Sequence, residues 1–84
     1  MDQKPNSLYL KVVQITDHYF GPTADRFIRR QIENHLNKNP EELVKSDLKE
    51  LTDWIEMSMT VLTDDNRVIG EYLSKLHSLI YRNR

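Results

Sequence analysis

The side chains best suited to chemistry near neutral pH are three histidines, His18, His35 and His77. Histidine serves as a metal ligand or as a general acid–base, and either role needs partners within reach. A helix supplies them most directly as a His-x-x-x-His pair or a His-Glu-x-x-His run. Neither spacing occurs, and the three fall on three different helical patterns. His35 has the most unusual setting. At helical spacing it falls near the middle of the second helix's apolar face, with Gln31 one turn before it. This predicts either a buried polar pair, Gln31 and His35, lining a pocket, or a core histidine hydrogen-bonded to a neighbour.

The remaining reactive groups give no catalytic constellation. Acid–base hydrolysis of a glycoside needs two carboxylates facing each other across a cleft. Glu41-Glu42 and Asp64-Asp65 are instead sequence neighbours at predicted helix starts, where acids offset the helix dipole. The serines and threonines lack a nucleophile-elbow setting. Two glycines cannot build a phosphate-cradling loop, and the absence of cysteine excludes disulfides, thiolate metal sites and a thiol nucleophile. The expectation is a protein without catalytic residues, cofactor or metal.

Two surfaces could bind something. Arg26, Arg29 and Arg30, with Lys38 nearby, form a basic face on the second helix that suits phosphate or carboxylate, since arginine makes bidentate pairs. The alternative is an ordinary solvated helix face that Asp25 and Glu33 partly neutralise. A smaller basic patch, Tyr81-Arg82-Asn83-Arg84, sits at the chain end. The other surface is apolar. Beyond its main stripe, the third helix carries Trp54, Met57 and Val61 at i, i+3, i+7. The two stripes together span roughly 200° of that helix, wider than the ~100° of an ordinary surface helix. Either the helix is central, or Trp54, Met57 and Val61 meet another chain, as tryptophan and methionine often do in interface cores. The first helix shows a milder excess, in which Tyr9 leads a second stripe.

These residues are positioned by four predicted helices. The first runs from about Ser7 to Phe20, with Asn6 or Ser7 as cap and with core positions Leu8, Val12, Ile15 and Tyr19 beside a second stripe, Tyr9, Val13 and Phe20. Gly21-Pro22 turns the chain: glycine suits the left-handed position that ends a helix, and proline the first turn of the next. The second helix runs from Pro22 to Asn37 with Ala24, Phe27, Ile28, Ile32 and Leu36 inward. After the break at Asn37-Lys38-Asn39-Pro40, the segment Pro40–Leu43 reads as one helical turn. The third helix, Asp47 to Leu62 with Ser46 as cap, carries Leu48, Leu51, Ile55, Met59 and Leu62 inward and Thr52 on its polar side. Thr63–Asn66 separates and caps the fourth, Asp65 to Tyr81, whose stripe is Val68, Ile69, Tyr72, Leu73, Leu76, Leu79 and Ile80. Gly70 lies on its polar face, where it costs about 1 kcal/mol relative to alanine; close approach of another backbone would account for it. Strand signals are missing, so the expected class is all-α: a compact four-helix domain with one extra short turn.

Length and composition agree. Eighty-four residues make one domain, expected over residues 7–81 with a flexible segment at 1–6 and a frayed end at 82–84. A chain this small gains from burial by self-association. A net charge of −1 weighs against a dedicated nucleic-acid binder, and the periodic apolar residues weigh against disorder. The polar start Met1-Asp2-Gln3-Lys4-Pro5 lacks the apolar run of a signal peptide, and no stretch approaches the roughly 20 apolar residues of a membrane span. The expected location is the cytoplasm.

The runs Tyr19–Ile32, Asp47–Ile55 and Leu62–Asp65 resemble a short helical domain of uncharacterised function associated with cyanobacterial regulatory and signalling proteins, in which Gly-Pro-x-Ala segments precede an arginine-rich helix. The likeness covers most of residues 8–80. It implies a non-catalytic interaction or regulatory module, often appended to larger proteins, and brings no catalytic residues. The leading expectation is therefore a small protein-interaction module, acting on a protein partner or on itself as a homodimer. A DNA-binding regulator using Arg26, Arg29 and Arg30 is the second reading. A ligand-binding bundle around Gln31 and His35 is the third.

Overall fold

Gly21 takes φ +84°, a conformation open to glycine and strained for side chains with a Cβ. It ends the first helix, α1 (Ser7–Phe20), where its N–H donates to the Asp17 carbonyl at 2.9 Å. Its own carbonyl accepts the Ala24 N–H at 3.0 Å, which starts the second helix, α2 (Ala24–Gln31), two residues later than Pro22. A computed structural model describes residues 7–81. The expectations for 1–6 (the cap Asn6 included) and for 82–84 (the Arg82 and Arg84 patch included) lie outside the described residues.

The second helical run does not continue as one regular helix to Asn37. It widens into a π-helical turn, Ile32–Leu36, and stops where Asn37 adopts a left-handed conformation, φ 55°. Asparagine is among the few residues that tolerate this region. Two 3₁₀ turns come next, Pro40–Glu42 and Lys45–Asp47. In the first, the Glu42 carboxylate accepts the Asn39 N–H at 3.0 Å. In the second, the Asp47 carboxylate accepts both the Val44 N–H at 3.1 Å and the Lys38 ammonium at 2.8 Å. The expected cap at Ser46 is therefore replaced by a turn stapled through Asp47. Burial opposes ionisation of Asp47, but the Lys38 and Val44 contacts outweigh it and hold the carboxyl below its usual range. The third helix, α3, spans Leu48–Leu62, and the fourth, α4, spans Asn66–Tyr81. Asp65 caps α4: its carboxylate accepts the Arg67 and Val68 N–H groups at 3.1 and 3.3 Å.

The described residues form an all-α globule of four helices with short 3₁₀ turns and no strand. Helix α1 lies between α2 and α4, and α3 packs against α4 and the π turn. Ile28, Ile32, Leu48, Leu51, Ile55, Met59, Tyr72 and Leu76 fill the centre. At α1, the deepest residues are Val12 and Tyr9, one from each stripe read from the sequence, and Thr16, which belongs to neither; Leu8, Val13, Ile15, Tyr19 and Phe20 flank them, half-buried. Having neighbours on both sides makes the midline of those stripes the buried face. Thr52, expected on a polar side, is likewise buried.

Thr16 holds two helices together. Its hydroxyl donates to the Val12 carbonyl at 2.8 Å, so its oxygen accepts the Tyr72 hydroxyl proton at 2.6 Å. Burial pushes the Tyr72 phenol up to about 12. The rings of Tyr19 and Phe20 meet Tyr72 edge-on at 5.8 and 5.2 Å.

Candidate functional site

Helices α2 and α3 run antiparallel, and three pairs one turn apart mark their course. At the first, the ring of His35 lies flat on Trp54, with centroids 4.0 Å apart and planes 7° from parallel. At the second, the Gln31 amide donates to the Ser58 hydroxyl at 3.2 Å. At the third, Phe27 and Leu62 line a groove of about 350 Å³. Phe20, Ala24 and Met59 complete its apolar lining, and Arg26 and Arg30 stand on its edge.

Beside this groove the last turns of α3 are bare. Met57 is 62 %, Val61 84 % and Leu62 58 % exposed, whereas Ile55 and Met59 on the same helix are almost fully buried. The periodicity puts Leu62 inward, continuing the stripe from Met59. The core has ended by this turn, so the position becomes surface. Trp54, by contrast, is half-buried beneath His35, so its indole is shared between the fold and the surface. Met57 and Val61 thus form the exposed part of the predicted interface stripe.

Tyr9 leaves that surface. It is 7 % exposed, and its hydroxyl donates to the Asp25 carboxylate. The correction has a simple cause: α2 folds back along α1 directly after the Gly21-Pro22 turn, and its first turn covers Tyr9. Burial, together with the hydrogen bond to Asp25 and its charge, pushes the Tyr9 phenol far above its ordinary range.

The predicted basic face is divided. Arg29 pairs with Asp25 at 3.6 Å, and its guanidinium stands 5.9 Å from the centre of the Tyr9 ring. Arg26 and Arg30 instead line the groove. Three arginines on one stretch of helix therefore serve two places.

Gln31 and His35 do not come together around a cavity. Gln31 is buried against Ser58, and its Oε1 is buried with no hydrogen-bond partner among the described residues. His35 lies one turn beyond Gln31 and stacks on Trp54, one turn before Ser58, so both face α3 with separate partners. The three histidines stay apart. His18 meets Tyr19 edge-on at the rim of a polar concavity that also holds Glu71, Ser74 and Lys75, and His77 is exposed on α4. Among the described residues, no group of three or more histidine, cysteine, aspartate or glutamate side chains could hold a metal ion. Glu42 closes the Pro40–Glu42 turn and Asp65 caps α4, which accounts for one member of each acidic pair. Gly70 is exposed, and a Cβ there would meet nothing within 4 Å, so no nearby backbone of this chain requires it.

Sequence reasoning missed the groove. Its lining comes from α1, α2 and α3, and the only advance signal is the spare apolar surface at the end of α3. Among the described residues, no helix is long and apolar enough to cross a membrane. Comparison with protein-family models, with curated proteins and with solved structures finds no match.

Proposed function

We propose that this protein is a non-catalytic protein-interaction module that associates with a second copy of itself through the C-terminal turns of α3. The observation that carries the reading is the run of exposed apolar side chains, Met57, Val61 and Leu62, on one helix end. Large apolar groups scattered singly on a surface are ordinary, but three within six positions, with Leu62 also lining an apolar groove, make a patch. A small domain gains most from covering such a patch, because its own core is limited. A regulatory role rests on the resemblance of the Gly21-Pro22-Thr23-Ala24 joint to helical signalling modules, and a cytoplasmic location on the composition. The duplex-binding reading is weaker than the sequence suggests, since Arg29 is engaged by Asp25 and only Arg26 and Arg30 share a surface.

Sedimentation across a dilution series tests the reading. The wild type should reach dimer mass in the micromolar range. Met57→Ser/Val61→Ser should remain monomeric with an unchanged melting temperature, because both side chains are exposed. A wild type that stays monomeric at high micromolar concentration overturns the proposal.

A further inference from the structure

We infer that the groove between α2 and α3 is the receptor for Val61 of a second copy, and that Asp64 of that copy sets the register by lying between Arg26 and Arg30. The inference rests on the self-association reading and names its receptor. A two-fold interface must be self-complementary: whatever surface one copy offers, its partner offers too. The end of α3 meets this requirement. It presents an apolar knob, Val61 at 84 % exposure, followed three residues later by exposed Asp64. The next residue, Leu62, lines an apolar groove together with Phe27, Arg26 and Arg30. Knob and hole are thus contributed by neighbouring residues, Val61 and Leu62, and the acid that succeeds the knob has the charge opposite to that of the arginines lining the hole. A two-fold axis near Leu62 places each Val61 toward the other copy's groove and brings each Asp64 to the other copy's arginines.

The division of labour comes from magnitudes. Ion pairs at an exposed rim contribute little affinity, while apolar burial contributes most of it. Charges at such a rim act on register and partner choice, since like charges facing each other are strongly disfavoured. Arg26 and Arg30 would therefore select the orientation that Val61 makes stable. Asp65 is excluded from this role by its duty as the cap of α4.

Charge exchange tests the pairing. All the positions are exposed, so the variants should fold as the wild type does, which circular dichroism and melting temperature check. Arg26→Glu/Arg30→Glu and Asp64→Arg should each weaken dimerisation by about tenfold or more, because each contact occurs twice across the axis. Combining them should restore most of the loss, and Val61→Glu should abolish the dimer in every background. A dimer indifferent to the arginine and Asp64 changes overturns the groove assignment and leaves self-association standing. A wild type that is monomeric throughout overturns both. Wild-type binding to duplex DNA that is lost in Arg26→Glu/Arg30→Glu, with the dimer unaffected, assigns the arginines to phosphate and also overturns the inference.

Discussion

The hydroxyls of Thr16 and Tyr72 meet at 2.6 Å in the interior, and the proton between them belongs to Tyr72 because Thr16 gives its own to the Val12 carbonyl. The bond ties α1 to α4 and fixes both rotamers. Thr16→Val leaves the Tyr72 hydroxyl buried without an acceptor and should cost about 1–3 kcal/mol. Tyr72→Phe, which removes the donor and leaves a smaller deficit, should cost less. The double variant should be no worse than Thr16→Val alone. Urea denaturation of the four proteins measures the cycle; additive losses would show that the two hydroxyls are not coupled.

The His35–Trp54 stack gives a spectroscopic handle, because Trp54 is the only tryptophan. His35→Ala uncovers one indole face and should shift Trp54 emission to longer wavelength, with a stability loss of about 0.5–1.5 kcal/mol. His35→Phe should keep both nearer the wild type. An unchanged emission spectrum in His35→Ala would mean that the rings do not stack in solution. Because Trp54 serves the fold as well as the surface, Trp54→Glu should lower the melting temperature, whereas Val61→Glu should not.

Gly21 should resist substitution for backbone reasons alone. A Cβ there meets nothing within 4 Å, but φ +84° is strained for it. Gly21→Val should destabilise by more than about 1 kcal/mol, and Gly21→Asn by less, since asparagine tolerates the left-handed region. Thermal melts of the two variants suffice; equal melting temperatures would remove the left-handed turn from the solution structure.

Asp47 predicts the acid limb of stability. Its folded pKa lies below the ordinary value of 3.8, so its contribution is present above that value and is lost as pH falls through the folded pKa. Asp47→Asn should cost about 1 kcal/mol at pH 7 and flatten the fall in stability at more acidic pH. Parallel acid titrations of wild type and variant with identical slopes in that range would refute the assignment.

The helices and their joints are legible in the sequence because Gly21, Pro40 and Asp65 act locally: each fixes its own backbone or the next turn. The π turn is not. Nothing in Ile32–Leu36 breaks helical periodicity, so the sequence reads as one helix to Asn37. His35 meets Trp54 and Gln31 meets Ser58, and these partners on α3 cannot be read from the second helix alone. The burial of Tyr9, Thr16 and Thr52 escapes the sequence for a related reason. A polar atom reads as exposed until the residue that satisfies it is known, and the partners of Tyr9 and Thr16 lie 16 and 56 positions away. For the candidate site, the exposed Met57 and Val61 are visible as spare apolar surface, but the groove beside them exists only once α1, α2 and α3 have packed.

The position of α1 between α2 and α4 also orders events in time. Helices α1 and α2 can dock early, since only the Gly21 turn separates them. The other flank of α1 has no cover until α4 arrives, and closing a loop of that length is slow relative to pairing neighbours. An emerging chain therefore holds Val12 and Thr16 open until Tyr72 has been made. In that interval the half-built domain exposes far more apolar surface than the finished one, and α4 is the segment whose arrival ends its exposure to aggregation.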